Sequence, residues 1–564
     1  MSEAPEVAAA GGVRVRLLDP AVQRAAAPAY ARAVADRVPE GLLARDASLW
    51  GPAAAAEAAH RLGWVDLPRT SRALLDRVGA LRDTYRGRGA DHVVLAGMGG
   101  SSLAPEVIAA AWGVPLTVLD TTDPGQVRRA LADRLDRTVL VVASKSGGTV
   151  ETDSHRRVYE QAFRDAGIDP AQRVVVVTDP GSPLAALAAD SGYPTVLADP
   201  DVGGRYSALT AFGLVPSGLA GADPAALLDA AAALLPALGA GRDNPGLLLG
   251  AALGGAGVVG RDKVVLHAED PPGFGDWAEQ LVAESTGKQG RGLLPVVVEG
   301  PGHGLGDGSA EGRDLPGLAP APDSHRVLVA SALGSDPDPI ADTEVTGPLG
   351  AQFLLWEYAV AVAGRVLGIN PFDQPNVAES KENTARLLAA GDGPPGRPAL
   401  VDGPVEVYGD PALLGGATDL PAALRALAAA VPPRGYLAVL AYLDRGADAA
   451  AASLRPLLAR ALGDRPVTFG WGPRFLHSTG QYHKGGPPVG AFLQVTGVVV
   501  DDLAVPGRPY TFGRLQAAQA AGDLDALARR GRPVLRVHLR DRAAGLAVLR
   551  AAAGSLTVPA PGRP

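Results

Sequence analysis

The chain has no cysteine in its 564 residues, which excludes disulfide bonds, thiolate nucleophiles and cysteine-ligated metals. No apolar run of membrane-spanning length is free of glycine or charge, so the sequence also excludes a transmembrane helix. Lys and Arg are spread along a chain of net charge -8, and they form no basic stripe for nucleic acid or an anionic membrane. These absences predict a soluble protein, and any phosphate that it binds is small and local.

What is present suits a globular protein of two or three domains. Hydrophobic residues make up 47% of the chain and charged residues 20%, and 564 residues exceed what one core usually supports. Residues 1–12 are small and acidic, whereas a secretory signal begins with basic residues and continues with an apolar run. The sequence therefore predicts a cytoplasmic protein.

Apolar runs alternate with stretches of helical spacing from His92 onward, which predicts an α/β fold of doubly wound parallel sheets. Residues 1–90 are rich in Ala, Leu and Arg at helical spacing, which predicts a helical N-terminal segment. After it we expect two α/β domains, a linker near 391–398 and a smaller C-terminal α/β portion, with boundaries at 91–245, 246–392 and 393–564. The strands predicted for the two domains are 92–96, 116–119, 139–143, 173–178, 195–197, 263–267, 292–298 and 326–330, with a long helix over 350–367.

The loop at 144–149, Ser-Lys-Ser-Gly-Gly-Thr, follows a β-branched run and precedes a helical stretch. Backbone N–H groups at a helix N-terminus have no intrahelical partner, and the helix dipole favours an anion there. Ser144, Ser146 and Thr149 add hydroxyl donors, Lys145 adds a positive charge, and the two glycines let the backbone approach a ligand closely. The loop therefore predicts a cradle for a phosphate, although an ordinary Ser/Gly turn has the same composition.

A second glycine-rich loop, Gly-Met-Gly-Gly-Ser-Ser at 97–102, follows the first predicted strand, where open α/β folds bind ligands. Gly97 and Gly99 match the first two glycines of a dinucleotide-binding fingerprint, and Asp120 follows about 20 residues later, as a ribose-binding acid does. Ser102 replaces the third glycine, however, and dinucleotide binding has no use for the loop at 144–149. Sugar-phosphate binding is therefore the favoured interpretation.

Four later segments carry side chains suited to proton transfer and charge stabilisation. Arg205 lies in Gly-Gly-Arg-Tyr-Ser, where a fixed guanidinium can stabilise a developing oxyanion, and Glu284 stands where an amphipathic helix meets a glycine-rich loop. Taken alone, Arg205 also fits an arginine paired with a surface carboxylate, and Glu284 also fits a solvated glutamate of a helix. Lys381 follows a double-proline turn, and His477 lies in a loop after a predicted strand. The two histidines of 475–484 have no further clustered ligand, so they favour proton transfer over zinc binding.

Together these segments resemble the glucose-6-phosphate isomerase (phosphoglucose isomerase) family. The resemblance runs from residue 92 to about residue 390 and covers the glycine-rich loop, the phosphate loop and the segments of Arg205, Glu284 and Lys381. Within the family the chain looks most like the isomerase part of fused transaldolase and glucose-6-phosphate isomerase proteins. It has no room for a transaldolase barrel beside two sugar-isomerase (SIS) domains, so we expect a single activity.

The resemblance implies reversible isomerisation of glucose 6-phosphate and fructose 6-phosphate through an enediolate, a step of glycolysis and gluconeogenesis, with no cofactor. The absence of cysteine and of a clustered histidine and carboxylate site predicts that the reaction needs no metal. It also implies a homodimer. The residues that it assigns to substrate binding are Gly100, Ser101, Ser144, Lys145, Ser146 and Thr149. Its catalytic residues are Arg205 for stabilisation of the enediolate, Glu284 for proton transfer between C2 and C1, and Lys381 for assistance in ring opening.

The sequence departs from the family in two places. Short bacterial members carry His-Ser-x-Gly-Gln-Tyr between the glutamate and lysine segments, whereas here His477 begins that segment after Lys381. We expect a rearranged topology to bring His477 to the same pocket, where it opens the sugar ring. Asn-Val-Ala-Glu also replaces Gly-Val-Glu before Lys381, which leaves the geometry of that loop open. Glu357, in the predicted long helix, is a rival base, and Glu284 is favoured because its neighbours match the family.

Two other functions stay open at this point. A dual phosphoglucose and phosphomannose isomerase would differ mainly in the shape of the pocket around C2. A non-catalytic sugar-phosphate sensor with the same fold would need the loop at 144–149 but not the combination of Glu284, Lys381 and His477. The joint presence of these three residues favours an enzyme.

Overall fold

The computed structural model describes residues 5–268, 270–298, 321–332, 340–375, 386, 388, 396–463 and 465–556. Strands in these ranges form three sheets, one of five strands and two of six. The predicted α/β fold with parallel sheets is confirmed. Within the same ranges, no helix has the length and apolar character needed to cross a bilayer.

Helices cover the sheets and connect their strands. The α-helices are Pro20–Ala35, Val38–Leu43, Pro52–Ala58, Leu67–Thr70, Leu75–Gly87, Leu103–Ala111, Pro124–Ala132, Val150–Asp165, Pro183–Asp190, Ala211–Ala220, Pro224–Leu238, Pro245–Val258, Phe274–Thr286, Leu349–Leu367, Pro411–Leu414, Leu420–Ala429, Leu454–Leu462, Gly480–Gly485, Phe512–Ala528 and Arg542–Gly554.

The first sheet is parallel throughout and buried on both faces. Its strands, in spatial order, are Thr117–Leu119, His92–Gly97, Thr138–Ala143, Val174–Thr178 and Thr195–Leu197. Alternate residues point to opposite faces, so Leu95 packs in one cluster with Phe212 while Val94 packs in another with Tyr159. Both faces of this sheet are covered, so both carry apolar side chains. The strands are therefore continuous apolar runs, which the sequence shows.

The second sheet combines four parallel strands with an antiparallel hairpin at one edge. Its spatial order is Val7–Ala10, Val13–Leu17, Thr343–Thr346, Ser324–Ala330, Lys263–Ala268 and Leu294–Val298. The long helix Leu349–Leu367 agrees with the sequence prediction. The strand Thr343–Thr346 was not predicted, because two threonines and a glutamate in four residues do not form an apolar run.

The prediction of a purely helical N-terminal segment over 1–90 is wrong for its first part, where 7–17 form the hairpin. Val13, Val15 and Leu17 are buried while Arg14 and Arg16 are partly exposed, which is the period-two pattern of a half-buried strand. Gly11 and Gly12 both have positive φ and form the turn. The hairpin continues the second sheet, so the N-terminus packs with that sheet rather than standing alone.

The third sheet is the predicted C-terminal α/β portion. Its spatial order is Leu400–Asp402, Val405–Gly409, Val534–Leu539, Gly490–Gly497, Tyr436–Tyr442 and Val467–Trp471. The last four of these are parallel to one another, and the first two add an antiparallel edge that the sequence did not reveal. The domain boundaries at 90, 245 and 392 stay predictions.

The second and third sheets share one apolar cluster. Leu440 and Tyr442 of the third sheet lie in it together with Val296 of the second sheet and Ala283 of the helix Phe274–Thr286. Phe475 joins them from the segment that follows the strand Val467–Trp471. This packing brings the segment that contains His477 against the helix Phe274–Thr286, at whose end Glu284 lies.

Candidate active site

The loop at 144–149, which the sequence predicts to bind a phosphate, lies between a strand and a helix as expected. It connects the strand Thr138–Ala143 to the helix Val150–Asp165, and Thr149 is the N-cap residue of that helix. The hydroxyl oxygens of Ser144 and Thr149 are 3.1 Å apart. The loop therefore gathers hydroxyls beside the N–H groups of a helix N-terminus, which suits a phosphate.

The middle of this loop depends on glycine. Gly147 has φ of +69°, and a Cβ there would lie 2.7 Å from the backbone nitrogen of Leu184, so no larger residue fits without strain. Ser146 Oγ accepts a hydrogen bond from the N–H of Gly148 at 3.3 Å. The backbone of the loop is therefore folded around the hydroxyl group of Ser146.

Lys145 is already engaged by protein groups. Its Nζ lies 2.6 Å from Asp179 Oδ2 and donates to the carbonyl oxygen of Asp199 at 3.3 Å. The Asp179 carboxylate therefore competes with a phosphate for this ammonium, and the role predicted for Lys145 stays a prediction.

The glycine-rich loop at 97–102 lets three segments meet. A Cβ at Gly100 would lie 1.9 Å from the carbonyl oxygen of Gly204, and a Cβ at Gly99 would lie 2.7 Å from Gln280 Nε2 and 3.1 Å from His477 Cβ. The absence of side chains at these positions places the first sheet against the Arg205 turn, the Glu284 helix and the His477 segment. Lining of the pocket by Gly100 and Ser101 stays a prediction.

Asp120 is not available as a ribose-binding acid. Its carboxylate is buried, and Arg474 Nε lies 2.5 Å from Asp120 Oδ2. Ser102 also donates to Asp120 across 3.4 Å. Because protein groups neutralise this acid, the structure gives no support to dinucleotide binding.

Glu284 lies near the C-terminal end of the helix Phe274–Thr286 and is 4% exposed. Arg205 Nη1 lies 3.7 Å from Glu284 Oε2, and Gln280 Nε2 donates to the same oxygen at 3.3 Å. Burial raises the pKa of the Glu284 carboxyl, while the nearby cationic groups, with Arg205 foremost, oppose the rise. A carboxyl group in these surroundings is suited to accept and return a proton.

Arg205 is held by several acceptors, so its guanidinium has one orientation. It lies in the short helical turn Gly204–Tyr206, and its Nε donates to Ser285 Oγ at 2.9 Å. Its Nη1 donates to Gln374 Oε1 at 3.1 Å, and its Nη2 donates to the carbonyl oxygen of Pro371 at 2.5 Å. A buried, fixed cation next to Glu284 can stabilise an oxyanion that forms there.

Lys288, four residues after Glu284, binds the segment 371–374 that also accepts hydrogen bonds from Arg205. Its Nζ donates to both the carbonyl oxygen and Oδ1 of Asp373 at 2.6 Å, and the side chain is almost completely buried. Burial lowers the pKa of Lys288 to about 8, and the charge of Arg205 adds to the fall. Arg205 and Lys288 thus anchor the segment that leads toward Lys381.

His477 reaches the site from the third sheet, within the same chain. It ends a short helical turn, Arg474–His477, rather than lying in an irregular loop as predicted. His477 Nε2 lies 3.2 Å from Glu151 Oε1, and Gln280 Nε2 donates to the carbonyl oxygen of His477 at 2.8 Å. Gln280 therefore links the histidine backbone to the Glu284 carboxyl group.

Arg474 fixes this turn to the other two sheets. It is buried, with Nη2 at 2.5 Å from Glu106 Oε2 and Nη1 at 3.3 Å from Asp276 Oδ2, in addition to its contact with Asp120. Glu106 and Asp120 belong to the first sheet and its helices, and Asp276 belongs to the Glu284 helix. A single guanidinium thus joins all three parts of the molecule.

Glu357, the rival base, is in a different environment. It is completely buried in the helix Leu349–Leu367, and burial raises the pKa of its carboxyl well above the usual range, opposed only by the N–H of Ala208. The described residues place no cation beside it, whereas Arg205 lies beside Glu284. This difference favours Glu284 as the base.

Lys381 lies outside the described residues, so its predicted role stays a prediction. Within the described ranges, no group of three or more His, Asp or Glu side chains is arranged to hold a metal ion.

Two residues of the site were missed by the sequence analysis. Glu151 lies two positions after Thr149 in the phosphate-loop segment, and Gln280 precedes Glu284 by one helical turn. The spacing of four residues between Gln280 and Glu284 places both on one face of a helix, which is a sequence signal for their contact. Glu151 had a weaker signal, because only the fold brings it to His477, which lies far away in the chain.

Comparisons with known proteins identify the family. A family model described as phosphoglucose isomerase matches residues 72–234. A probable glucose-6-phosphate isomerase of Haloarcula marismortui is 34% identical over 348 residues, which cover 53% of this chain and 78% of that protein. A protein of the same description from Natronomonas pharaonis is 30% identical over 56% of this chain and 82% of its own length.

Solved structures support the fold. A hypothetical protein, TT0462, of Thermus thermophilus superposes with a TM-score of 0.56 at 24% identity, covering 66% of this chain and all of that one. A glucose-6-phosphate isomerase of Chlamydia trachomatis gives a TM-score of 0.51 at 18% identity, covering 68% of this chain and 90% of its own.

Proposed function

This chain belongs to the phosphoglucose isomerase family, and from that membership and the geometry of the candidate site we infer that it is an aldose–ketose isomerase that interconverts glucose 6-phosphate and fructose 6-phosphate. The observation that supports the mechanism best is the buried Glu284 carboxyl, which lies between Arg205 and Gln280 and is joined through Gln280 to His477.

Binding begins with the phosphate in the loop at 144–149. Ser144, Ser146 and Thr149 offer hydroxyls, and the N-terminus of the helix Val150–Asp165 offers N–H groups and a favourable dipole. The phosphate lies away from the reacting carbons, so its binding energy orients the sugar. The Lys145 ammonium would add positive charge at the phosphate only if the phosphate replaced Asp179 as its ion-pair partner.

Ring opening is the role that we assign to His477. A proton leaves the hydroxyl group on the anomeric carbon, the bond from that carbon to the ring oxygen breaks, and a proton is delivered to the ring oxygen. With His477 Nε2 donating to Glu151, the other ring nitrogen, Nδ1, carries the lone pair that exchanges the proton. Lys381 is proposed to assist this step.

Isomerisation proper is the role that we assign to Glu284. Its carboxylate removes the proton from C2 of the open-chain aldose, the electron pair forms the C1–C2 double bond, and the negative charge develops on the C1 oxygen. Arg205 stabilises this enediolate. The proton of the C2 hydroxyl group passes to the C1 oxygen, and Glu284 returns its proton to C1 as the C2 carbonyl forms. Such a base contributes a factor of roughly a hundred to ten thousand to the rate.

One assay tests the function. The purified protein is incubated with fructose 6-phosphate in the presence of EDTA, and glucose 6-phosphate and mannose 6-phosphate are quantified separately. We expect glucose 6-phosphate alone. Formation of both aldoses would indicate a dual isomerase, and binding without turnover would indicate a sugar-phosphate sensor.

The assembly and location of the protein stay predictions. A homodimer is expected from the family resemblance, and light scattering coupled to size exclusion would measure it. His477 contacts Glu151 within one chain, so the pocket as described does not need this residue from a second subunit. A cytoplasmic location stays the expectation drawn from the sequence.

A further inference from the structure

Gln519 is buried beside Glu151 and has no part in the mechanism described above. It lies on the helix Phe512–Ala528, which packs with the third sheet, and it is 2% exposed. Its Nε2 donates to Glu151 Oε1 at 2.6 Å, and its Oε1 accepts from Thr122 Oγ1 at 2.8 Å.

The two contacts give the amide a single orientation. An ionised carboxylate can only accept hydrogen bonds, so the side that faces Glu151 must be the NH2 group, and the Thr122 hydroxyl then donates to the amide oxygen. The helix itself is tied to the third sheet, since Tyr442 donates to the carbonyl oxygen of Gln519 at 3.4 Å. The amide therefore reaches Glu151 from a fixed support.

Glu151 Oε1 accepts from Gln519 Nε2 and is also the atom that contacts His477 Nε2. A carboxylate held by a second donor cannot rotate away from the imidazole, so its position defines which ring nitrogen of His477 carries the proton. The hydrogen bonds run from Thr122 through Gln519 and Glu151 to His477, and they connect the first and third sheets.

We propose that Gln519 is a positioning residue for ring opening, which holds Glu151 in the orientation that His477 needs. This inference rests on the proposed function and adds to it a residue outside the part of the chain that resembles the family. Gln519 acts through Glu151 and touches neither the sugar nor its phosphate in the mechanism, so its loss affects the rate of ring opening more than the binding of substrate.

Two titratable groups that interact with Glu151, His155 and Tyr442, keep their charge state over the pH range of the test. Burial lowers the pKa of His155 to about 4 and raises the pKa of Tyr442 well above its usual value. Neither group therefore changes charge between pH 5 and pH 9.

The experiment compares Gln519→Leu and Gln519→Glu with Gln516→Leu in the full chain. Gln516 lies one turn earlier on the same helix, is 4% exposed, and makes no hydrogen bond to Glu151. The readouts are kcat, KM, the rate at which the anomers of fructose 6-phosphate interconvert, measured by NMR, and the pH profile of kcat. Anomer interconversion requires ring opening but not proton transfer by Glu284.

For Gln519→Leu we expect kcat and the anomer interconversion rate to fall together by about tenfold or more, with KM within about twofold. For Gln519→Glu we expect the acid limb of the kcat profile to move up by about one pH unit, because two neighbouring carboxyl groups share a proton. Gln516→Leu should match the wild type in both respects.

The inference is overturned if the Gln519 variants and Gln516→Leu have the same anomer interconversion rate and the same acid limb, or if all three lose activity with an equal rise in KM. If Gln519→Leu does not fold, the nearly isosteric Gln519→Glu decides by the same readouts. A wild-type protein that does not isomerise fructose 6-phosphate would instead overturn the proposed function, and this inference with it.

Discussion

Glu284 and Glu357 are both buried carboxyl groups, and their neighbours separate them. Arg205 lies 3.7 Å from Glu284, whereas the N–H of Ala208 is the group that opposes the pKa rise of Glu357. A cation stabilises the carboxylate form that must accept a proton, and burial keeps its pKa closer to neutrality. Glu284 combines both effects.

Glu284→Gln should lower kcat by about a hundredfold or more and leave hexose phosphate binding nearly unchanged, because the amide keeps its size but cannot take the C2 proton. The measurements are kcat, exchange of the C2 proton with solvent, and the binding constant of 6-phosphogluconate. Glu357→Gln is the matched control and should retain exchange. The assignment of the base is wrong if Glu357→Gln abolishes exchange while Glu284→Gln retains it.

Ser144→Ala combined with Thr149→Ala should raise KM strongly, because each hydrogen bond to a charged phosphate contributes roughly 1.5 to 3 kcal/mol. Initial rates over a range of fructose 6-phosphate concentrations measure the change. Ser154→Ala is a suitable control, since its hydroxyl donates to the carbonyl oxygen of Val150 inside the same helix. An unchanged KM in the double variant would mean that the phosphate binds elsewhere.

Glu279 makes the free energy of unfolding depend on pH. It is buried, it accepts from Ser478 Oγ at 3.2 Å, and burial together with the nearby Asp276 raises its pKa to about 8. Between the unfolded value near 4.5 and the folded value, the folded chain holds a proton that the unfolded chain has released. The contribution of this group to the free energy of unfolding therefore falls as pH rises through that window.

Glu279→Gln should remove this dependence, because the amide accepts the same hydrogen bond from Ser478 without titrating. Relative to the wild type, the variant should gain on the order of 1 kcal/mol per pH unit between pH 5 and pH 8. Urea unfolding at several pH values measures the difference. Parallel stability curves for the two proteins would contradict the prediction.

At the scale of elements, the ion pairs of Arg474, rather than backbone hydrogen bonds, hold the short turn Arg474–His477 in place. Four residues make too few backbone hydrogen bonds to fix a side chain. Arg474 supplies the missing support through Glu106, Asp120 and Asp276. Removing the guanidinium would leave the buried Asp120 carboxylate without a cation, which is costly, and the partly exposed Glu106 and Asp276 would lose the same partner.

Arg474→Met should lower the free energy of unfolding by about 3 kcal/mol or more, and it should lower kcat because His477 loses its support. Arg445→Met is the control, since Arg445 also pairs with Glu106 but is 36% exposed, and we expect a loss of at most about 1 kcal/mol. Denaturant unfolding monitored by fluorescence measures both variants. Equal losses in the two variants would show that the contacts of Arg474 do not support the turn.

Strands that are continuous apolar runs were predictable, and short strands of mixed composition were not. The strand Thr138–Ala143 is an unbroken apolar run because helices cover it on both sides. The hairpin over 7–17 consists of short strands rich in alanine and arginine, which also fit helices, and its partner strand Thr343–Thr346 is largely polar. Tertiary pairing decides the structure of such segments.

For the whole molecule, the site was predictable where each motif is local and unpredictable where distant segments meet. The phosphate loop, the Arg205 turn and the Glu284 helix end each carry their chemistry in a few consecutive residues. The contact of Glu151 with His477, and of both with Gln519, depends on how the first and third sheets pack. No spacing in the sequence encodes that contact.

A ligand that touches all three sheets should stabilise the chain as one unit. Fructose 6-phosphate at about a hundred times its Kd should add about 2.7 kcal/mol to the free energy of unfolding. Calorimetry on Glu284→Gln, which binds without turnover, measures this gain, and the Ser144 and Thr149 double variant should lose most of it at the same concentration. A shift in only one of two separate transitions would contradict the coupling of the sheets.

The late position of His477 and Gln519 in the chain matters during synthesis. At about 5 to 20 residues per second, a ribosome needs roughly ten to fifty seconds to pass from residue 284 to residue 519. The nascent chain already contains the loop at 144–149, Arg205 and Glu284 in that interval, but not the histidine that we propose opens the ring. Products of interrupted translation would therefore lack both His477 and Gln519, and catalysis begins only when almost the entire polypeptide has been made.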